Sequence, residues 1–252
     1  MKVGVIGLGD MGGEVCARRL AKFPDIEVYG ADIPDTRERR EELEAKFAGS
    51  GINILDDGYA VSGLCAHVFH AEEVKNSIPA AQQYGPSTKP GTVLVGIASV
   101  MTPQKVGFRD STDEGVHLRW LHQLHGPSIN PKGQTAVVVD ERLPDPGASR
   151  DSSSLIERLG YRLDDIQELG SADEHDHITA DTQVGVHAQS QSVGTALQTA
   201  GLPPWAHPSY TAGVDFLNVL RAYRFYDMKP HIPEALAKYN PHAPVQFRTY
   251  AN

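Results

Sequence analysis

The chain has 252 residues, 40% of them hydrophobic and 22% charged, a composition that excludes a disordered, collagen-like or coiled-coil protein. Its 32 acidic against 23 basic side chains give a formal charge of -9, so it lacks the positive field that holds nucleic-acid backbones. The only two cysteines, Cys16 and Cys65, lie in apolar stretches and read as small buried thiols in a reducing compartment rather than as a disulfide.

The first apolar run, Val3 to Ile6, gives way at once to a glycine turn, too short for a signal peptide or a membrane span. The chain therefore reads as soluble and cytoplasmic, with no membrane partner. The turn is Gly7-Leu8-Gly9-Asp10-Met11-Gly12, a Gly-x-Gly-x-x-Gly placed between a strand and a helix, the one context in which that pattern carries meaning. Gly7 permits the tight turn, Gly9 lets backbone approach a pyrophosphate, and Gly12 lets helix and strand pack closely. Asp32, at the end of the next strand run (Ile26 to Ala31), is placed to accept hydrogen bonds from an adenosine ribose. A carboxylate there favours NAD, while Arg37, Arg39 and Arg40 follow closely enough to leave NADP open.

Further β-branched runs at Ala66 to Phe69, Val93 to Ile97 and Ala136 to Val139 alternate with helical patterns such as Met11 to Ala21 and Glu38 to Phe47. After a Pro-, Gly- and Ser-rich stretch at Leu143 to Ser154, one more helix and strand close a doubly wound parallel α/β sheet of Rossmann type, spanning 1–170. Ser171-Ala-Asp-Glu174 then starts a helix that meets no breaker before Gly201, Pro203 and Pro204. At 1.5 Å per residue this helix is roughly 44 Å long. A smaller all-α domain, 171–252, is too thin to cover it alone, so it predicts packing on the first domain and a homodimer.

Two features suggest a reaction centre. Thr179, Gln183, His187 and Gln191 recur every four residues and so line one helix face, a polar stripe that suits either a wet cleft or a solvent face. His125 follows the apolar run Leu118 to Leu124. If that run is a strand, His125 emerges at the sheet edge where open α/β sheets hold ligands, a credible place for a base. His175-Asp-His177 does not suggest a metal site, because no histidine pair on the long helix has the i, i+4 spacing that puts two ligands on one face.

Four stretches together resemble prephenate dehydrogenase, especially its fungal type: Gly7 to Gly12, Tyr84-Gly-Pro-Ser-Thr-Lys-Pro-Gly-Thr92, Leu121-His-Gln-Leu-His-Gly-Pro127 with Gly133-Gln134, and Glu174-His-Asp-His-Ile-Thr-Ala-Asp-Thr-Gln183. They keep the family's order over most of positions 3 to 225. The resemblance implies oxidative decarboxylation of prephenate to 4-hydroxyphenylpyruvate with NAD(P)+ as hydride acceptor. It implies His125 as the catalytic base, Ser99 as the serine that supports it, and His187, Gln183 and Arg221 as substrate-binding residues. Arogenate is the nearest alternative substrate, and a non-catalytic dinucleotide sensor is the alternative from another class. A β-hydroxyacid dehydrogenase would need a lysine on the long helix, and none lies between Ser171 and Gly201. Three features depart from the family pattern: Met101 stands where many members carry lysine, Gly185-Val186 precede His187, and further C-terminal helices are expected after Asn252.

Overall fold

The computed structural model describes residues 1–32, 36–143, 145–200 and 231–251; Arg221, Arg224 and the stop at Gly201 to Pro204 lie outside them. The chain divides into two compact units, Met1–His175 and Asp176–Asn252.

The first unit is built on one eight-stranded sheet, in the order β3-β2-β1-β4-β5-β6-β7-β8. The strands are β1 (Lys2–Ile6), β2 (Glu27–Ala31), β3 (Ile52–Ile54), β4 (His67–His70), β5 (Val93–Ile97), β6 (His117–Gln123), β7 (Ala136–Arg142) and β8 (Ile166–Leu169). Every residue of β4, β5 and β6 is buried, as expected of strands covered by helices on both faces. Side chains alternate between the two layers: Val95 and Leu121 join Val3, Val5 and Leu155 in one core, while Leu94, Leu118 and Trp120 join Phe108 in the other. Truncating a side chain as large and as buried as Trp120 costs about 3–5 kcal/mol.

The helices of this unit follow their capping signals. After β1 the chain is wound as a π-helix over Asp10–Ala17 and continues as α1 (Arg18–Leu20). Thr36 accepts a hydrogen bond from Arg39 N–H to open α2 (Arg37–Lys46), and Asp57 does the same for Ala60 at α3 (Gly58–Leu64). The remaining helices of the sheet unit are α4 (Ser77–Tyr84), α5 (Thr102–Ser111) and α6 (Pro146–Arg158).

The sheet differs from a fully parallel one. β1 to β6 run parallel, whereas β7 is antiparallel to β6 and β8 is parallel to β7. A parallel return needs a long crossover, usually a helix, and the link from Leu124 to Thr135 contains none, so the chain doubles back. The register of that antiparallel pair is pinned by the buried Arg119, which sits opposite Asp140 and binds it through two nitrogens, Nη2 at 2.8 Å. Its third nitrogen donates to Ser153 on α6 at 3.0 Å. The short edge strand β3 was not visible in the sequence pattern. Its three residues are only partly buried and carry no run of β-formers.

The helical run expected from Ser171 to about Gly201 is observed as α7 (Ala172–Thr179), a π-helical segment over Ala180–Val184 and α8 (Gly185–Ala200). Ser171 Oγ accepts from Glu174 N–H at 3.1 Å, and the Glu174 carboxylate reaches back to Gly170 N–H at 2.8 Å, a reciprocal cap. In the second unit the π-helical segment packs on α9 (His231–Tyr239) and α10 (Ala243–Ala251). Asn240, buried, donates to Asp176 O at 2.7 Å and accepts from His242 N–H at 2.9 Å. His242 stacks on His177 with ring centroids 4.7 Å apart.

Candidate active site

Because β1, β4, β5 and β6 run parallel, their carboxyl ends share one edge, which carries Gly7, Ala71, Ser99 and His125. The three motif glycines are distinct in space. Gly7 has φ +93, and a Cβ there would lie 2.7 Å from the Ala71 backbone. At Gly12 a Cβ would lie 2.0 Å from Gly7 O. Gly9 has nothing within 4 Å of the position its Cβ would take. The turn is therefore closed where strand and helix meet and open at its tip, the shape a pyrophosphate needs, with the N-terminus of the following helix behind it.

Asp32 is tied to this turn: Leu8 N–H donates to its Oδ1 at 3.2 Å. Its other oxygen receives Arg39, with Nε at 2.9 Å and Nη2 at 2.5 Å. The Asp32 side chain is 11% exposed, and its hydrogen bond holds the Arg39 guanidinium above its usual pKa and firmly charged. Asp32, Thr36, Arg39, Arg40, Leu43, Leu55 and Asp56 line one small depression. Arg40 binds Glu44 and Asp56, and Arg37 faces solvent with Glu41.

His125 follows β6 and is half-buried. Its Nδ1 lies 2.9 Å from Gly126 O, and its Nε2 lies 2.5 Å from the Tyr161 hydroxyl. Ser99 follows β5 at the same edge and is half-buried, but no hydrogen bond joins it to His125. Met101 is fully buried in the core beside Leu94 and Phe108, an apolar place where a lysine would need a charge partner. On the second unit, Thr179 and His187 are buried and Gln183 is half-buried, and burial lowers the His187 pKa. The Gln191 side chain lies outside the described ones.

Sequence reasoning missed two groups at this edge. One is the fully buried His70, whose Nδ1 is 3.4 Å from the Glu72 carboxylate, with Gln104 donating to Glu72 at 3.4 Å. The other is Tyr161. Both arise from contacts between elements distant in sequence, and only the polar residues closing an otherwise apolar β4 run hinted at the first.

Comparison with known proteins gives consistent matches. The family model described as a 6-phosphogluconate dehydrogenase C-terminal domain matches residues 184–252. Over 251 residues the chain is 30% identical to the probable prephenate dehydrogenase [NADP(+)] of Schizosaccharomyces pombe and 31% identical to prephenate dehydrogenase [NADP(+)] of Saccharomyces cerevisiae. The chain is a relative of the fungal prephenate dehydrogenases. These matches take in 100% and 99% of the chain but 56% and 54% of the two fungal proteins, so it spans about half their length. The fold is also that of the prephenate dehydrogenase from A. aeolicus solved with hydroxyphenyl propionate and NAD+. That structure superposes with a TM-score of 0.70 at 14% identity, over 100% of this chain and 87% of the other. Among the described residues, no helix is long and apolar enough to cross a membrane.

Proposed function

We propose that this chain is an NAD(P)-dependent dehydrogenase that oxidatively decarboxylates prephenate to 4-hydroxyphenylpyruvate, with arogenate as the alternative substrate. The observation that carries the reading is His125 at the same sheet edge as the open tip of the Gly7–Gly12 turn. When bound, the oxidised nicotinamide supplies the hydride acceptor. Leu8, Gly9, Asp10 and Met11 offer backbone to the pyrophosphate, and Asp32 with its neighbours holds the adenosine end. His125 takes the proton of the substrate's ring hydroxyl at Nε2, the atom that carries the lone pair when Nδ1–H donates to Gly126 O. Loss of carbon dioxide makes the product ring aromatic, so the chain has to orient the substrate, accept one proton and exclude water.

Ser99 would support His125 and the ring hydroxyl. His187, Gln183 and Arg221 would hold the side chain and its carboxylate, for which a planar guanidinium is the fitting donor. We further read the helical region, 171–252, as the substrate-binding and dimer-forming part of a cytoplasmic enzyme; the free, buried Cys16 and Cys65 suit a reducing compartment.

Between the two cofactors this reading favours NADP+. An unpaired Asp32 would repel a 2′-phosphate, but here Arg39 already neutralises it and needs only to swing outward to meet one. The NADP(+) in the names of both fungal relatives supports this choice.

The test is absorbance at 340 nm with prephenate or arogenate and NAD+ or NADP+ in four separate reactions. Growth of signal with prephenate and NADP+ is the expected result. Silence in all four, with cofactor binding shown by fluorescence, overturns the catalytic reading in favour of a sensor.

A further inference from the structure

We infer that Tyr161 is a positioning residue for His125, fixing which ring nitrogen carries the lone pair, and that Gln123 is the acceptor to which the phenol turns when His125 takes up a proton. The catalytic part of this inference rests on His125 being the base.

The geometry is set by the reversed end of the sheet. β8 runs against β6, so the chain entering β8 lies at the edge where β6 ends. Helix α6 ends at Gly160, which takes φ +110. A side chain there would be strained, and glycine lets the next residue turn back under the sheet edge. That residue is Tyr161, 4% exposed within the core that holds Cys16, Leu155 and Leu159. Its hydroxyl meets His125 Nε2 at 2.5 Å, with the two rings 5.6 Å apart.

The direction of each hydrogen bond follows from chemistry. Gly126 O can only accept, so the neutral His125 ring carries its proton on Nδ1 and its lone pair on Nε2. Burial pushes the Tyr161 pKa up, so the phenol keeps its proton and donates it to Nε2. When Nε2 receives a proton, the ring becomes a double donor, and the phenol oxygen must accept where it formerly donated. Its own O–H then needs another acceptor. The Gln123 amide lies beside both the Tyr161 hydroxyl and the Cys16 thiol. It is buried, and neither of its polar atoms forms a hydrogen bond among the described residues. An orphaned amide is costly unless a second state uses it. The proton count balances: one proton passes from substrate hydroxyl to Nε2, Tyr161 keeps its own, and Gly126 keeps Nδ1–H throughout.

The test is 15N NMR of the full chain with labelled histidine at mildly alkaline pH, where the ring is neutral, with the His125 signals assigned by their loss in His125→Gln. The wild-type ring should carry its proton on Nδ1. In Tyr161→Phe, which removes one buried oxygen and no volume, the Nε2–H form usual for unconstrained imidazole should become the major one. Turnover of that variant should fall about 10–100-fold, the size of effect seen when a partner that orients a functional imidazole is lost, with KM for substrate and cofactor little changed. An Nε2–H ring in the wild type overturns the inference without reference to any variant. So does a Tyr161→Phe ring that stays Nδ1–H, or one that changes tautomer with kcat unaltered. If no dehydrogenase activity is found at all, the catalytic reading fails separately, and the tautomer readings still decide the hydrogen-bonding assignment.

Discussion

Substituting alanine at two glycines of one turn should separate stability from cofactor binding. At Gly12 the added Cβ meets Gly7 O at 2.0 Å and the Ala71 Cβ at 2.9 Å. Neither the carbonyl nor the strand behind it can swing aside as a long side chain would. Ordinary carbon contacts lie at about 3.5–4.0 Å, so the helix must move by more than 1 Å. Overpacking costs about 1–3 kcal/mol, and with backbone as the obstacle Gly12→Ala belongs at the upper end. For a chain of this length that lowers Tm by about 6–12 °C. Gly9 has φ -72, a value alanine adopts freely, and no atom within 4 Å. Gly9→Ala should therefore raise stability by about 0.4–1 kcal/mol, by restricting the unfolded chain. Its methyl, however, stands in the open space reserved for the pyrophosphate. A comparable overpacking cost, now charged to the complex, weakens cofactor binding by about 5–150-fold. Thermal unfolding and titration of reduced-cofactor fluorescence read the two effects independently. Wild-type cofactor affinity in Gly9→Ala would refute the assignment of this turn, and an unchanged Tm in Gly12→Ala would refute the packing argument.

His125→Asn should leave cofactor affinity unaltered and cut turnover by about 10²–10⁴, as for a lost general base, measured in steady-state assays. Arg39→Ala should raise KM for NADP+ and leave that for NAD+ unchanged or lower, because the Asp32 carboxylate is then free to bind a ribose; equal losses with both cofactors would count against the proposed phosphate contact. Arg221→Ala should raise KM for substrate far more than for cofactor, and the same pattern in Arg224→Ala alone would move the carboxylate contact to Arg224. Burial depresses His67, His117 and His187 below the usual 6.5. In the folded chain these rings stay neutral where the unfolded chain protonates, so their contribution to stability is complete above pH 6.5 and is lost as pH falls from there through the depressed folded values. Urea midpoints measured across that range should decline toward acid, and His67→Leu, which removes a ring with no partner on either nitrogen, should flatten the decline.

The parts of this molecule that were legible in sequence are those governed by local rules. The Gly7–Gly12 turn, the Thr36 and Ser171 caps and the buried runs of β4 to β6 depend on residues within one turn of each other, and pattern alone locates them. His125 was found for the same reason: it ends an apolar run. The reversal at β7 was hidden because a run such as Ala136 to Val139 reads the same in either direction. What decides its direction is the helix-free link before it and the Arg119–Asp140 pair within it. Tyr161 was hidden more deeply. It carries no motif, and its contact with His125 exists only because Gly160 turns the chain at the end of a helix that returns from the reversed strand. The Asp32–Arg39 pair lay between these cases: arginines were visible nearby, but which one turns inward depends on the pitch of α2.

The direction of the last two strands also divides the labour of this sheet edge. Forward strands deliver the dinucleotide turn and the base, while the reversed pair delivers the group that orients the base. The two deliveries share no loop. A change in the length of α6, or in the few residues between Gly160 and β8, shifts Tyr161 relative to His125 and leaves the Gly7–Gly12 turn where it is. Catalytic rate and cofactor affinity can therefore drift independently in such a chain, the first through its late segments and the second through its early ones.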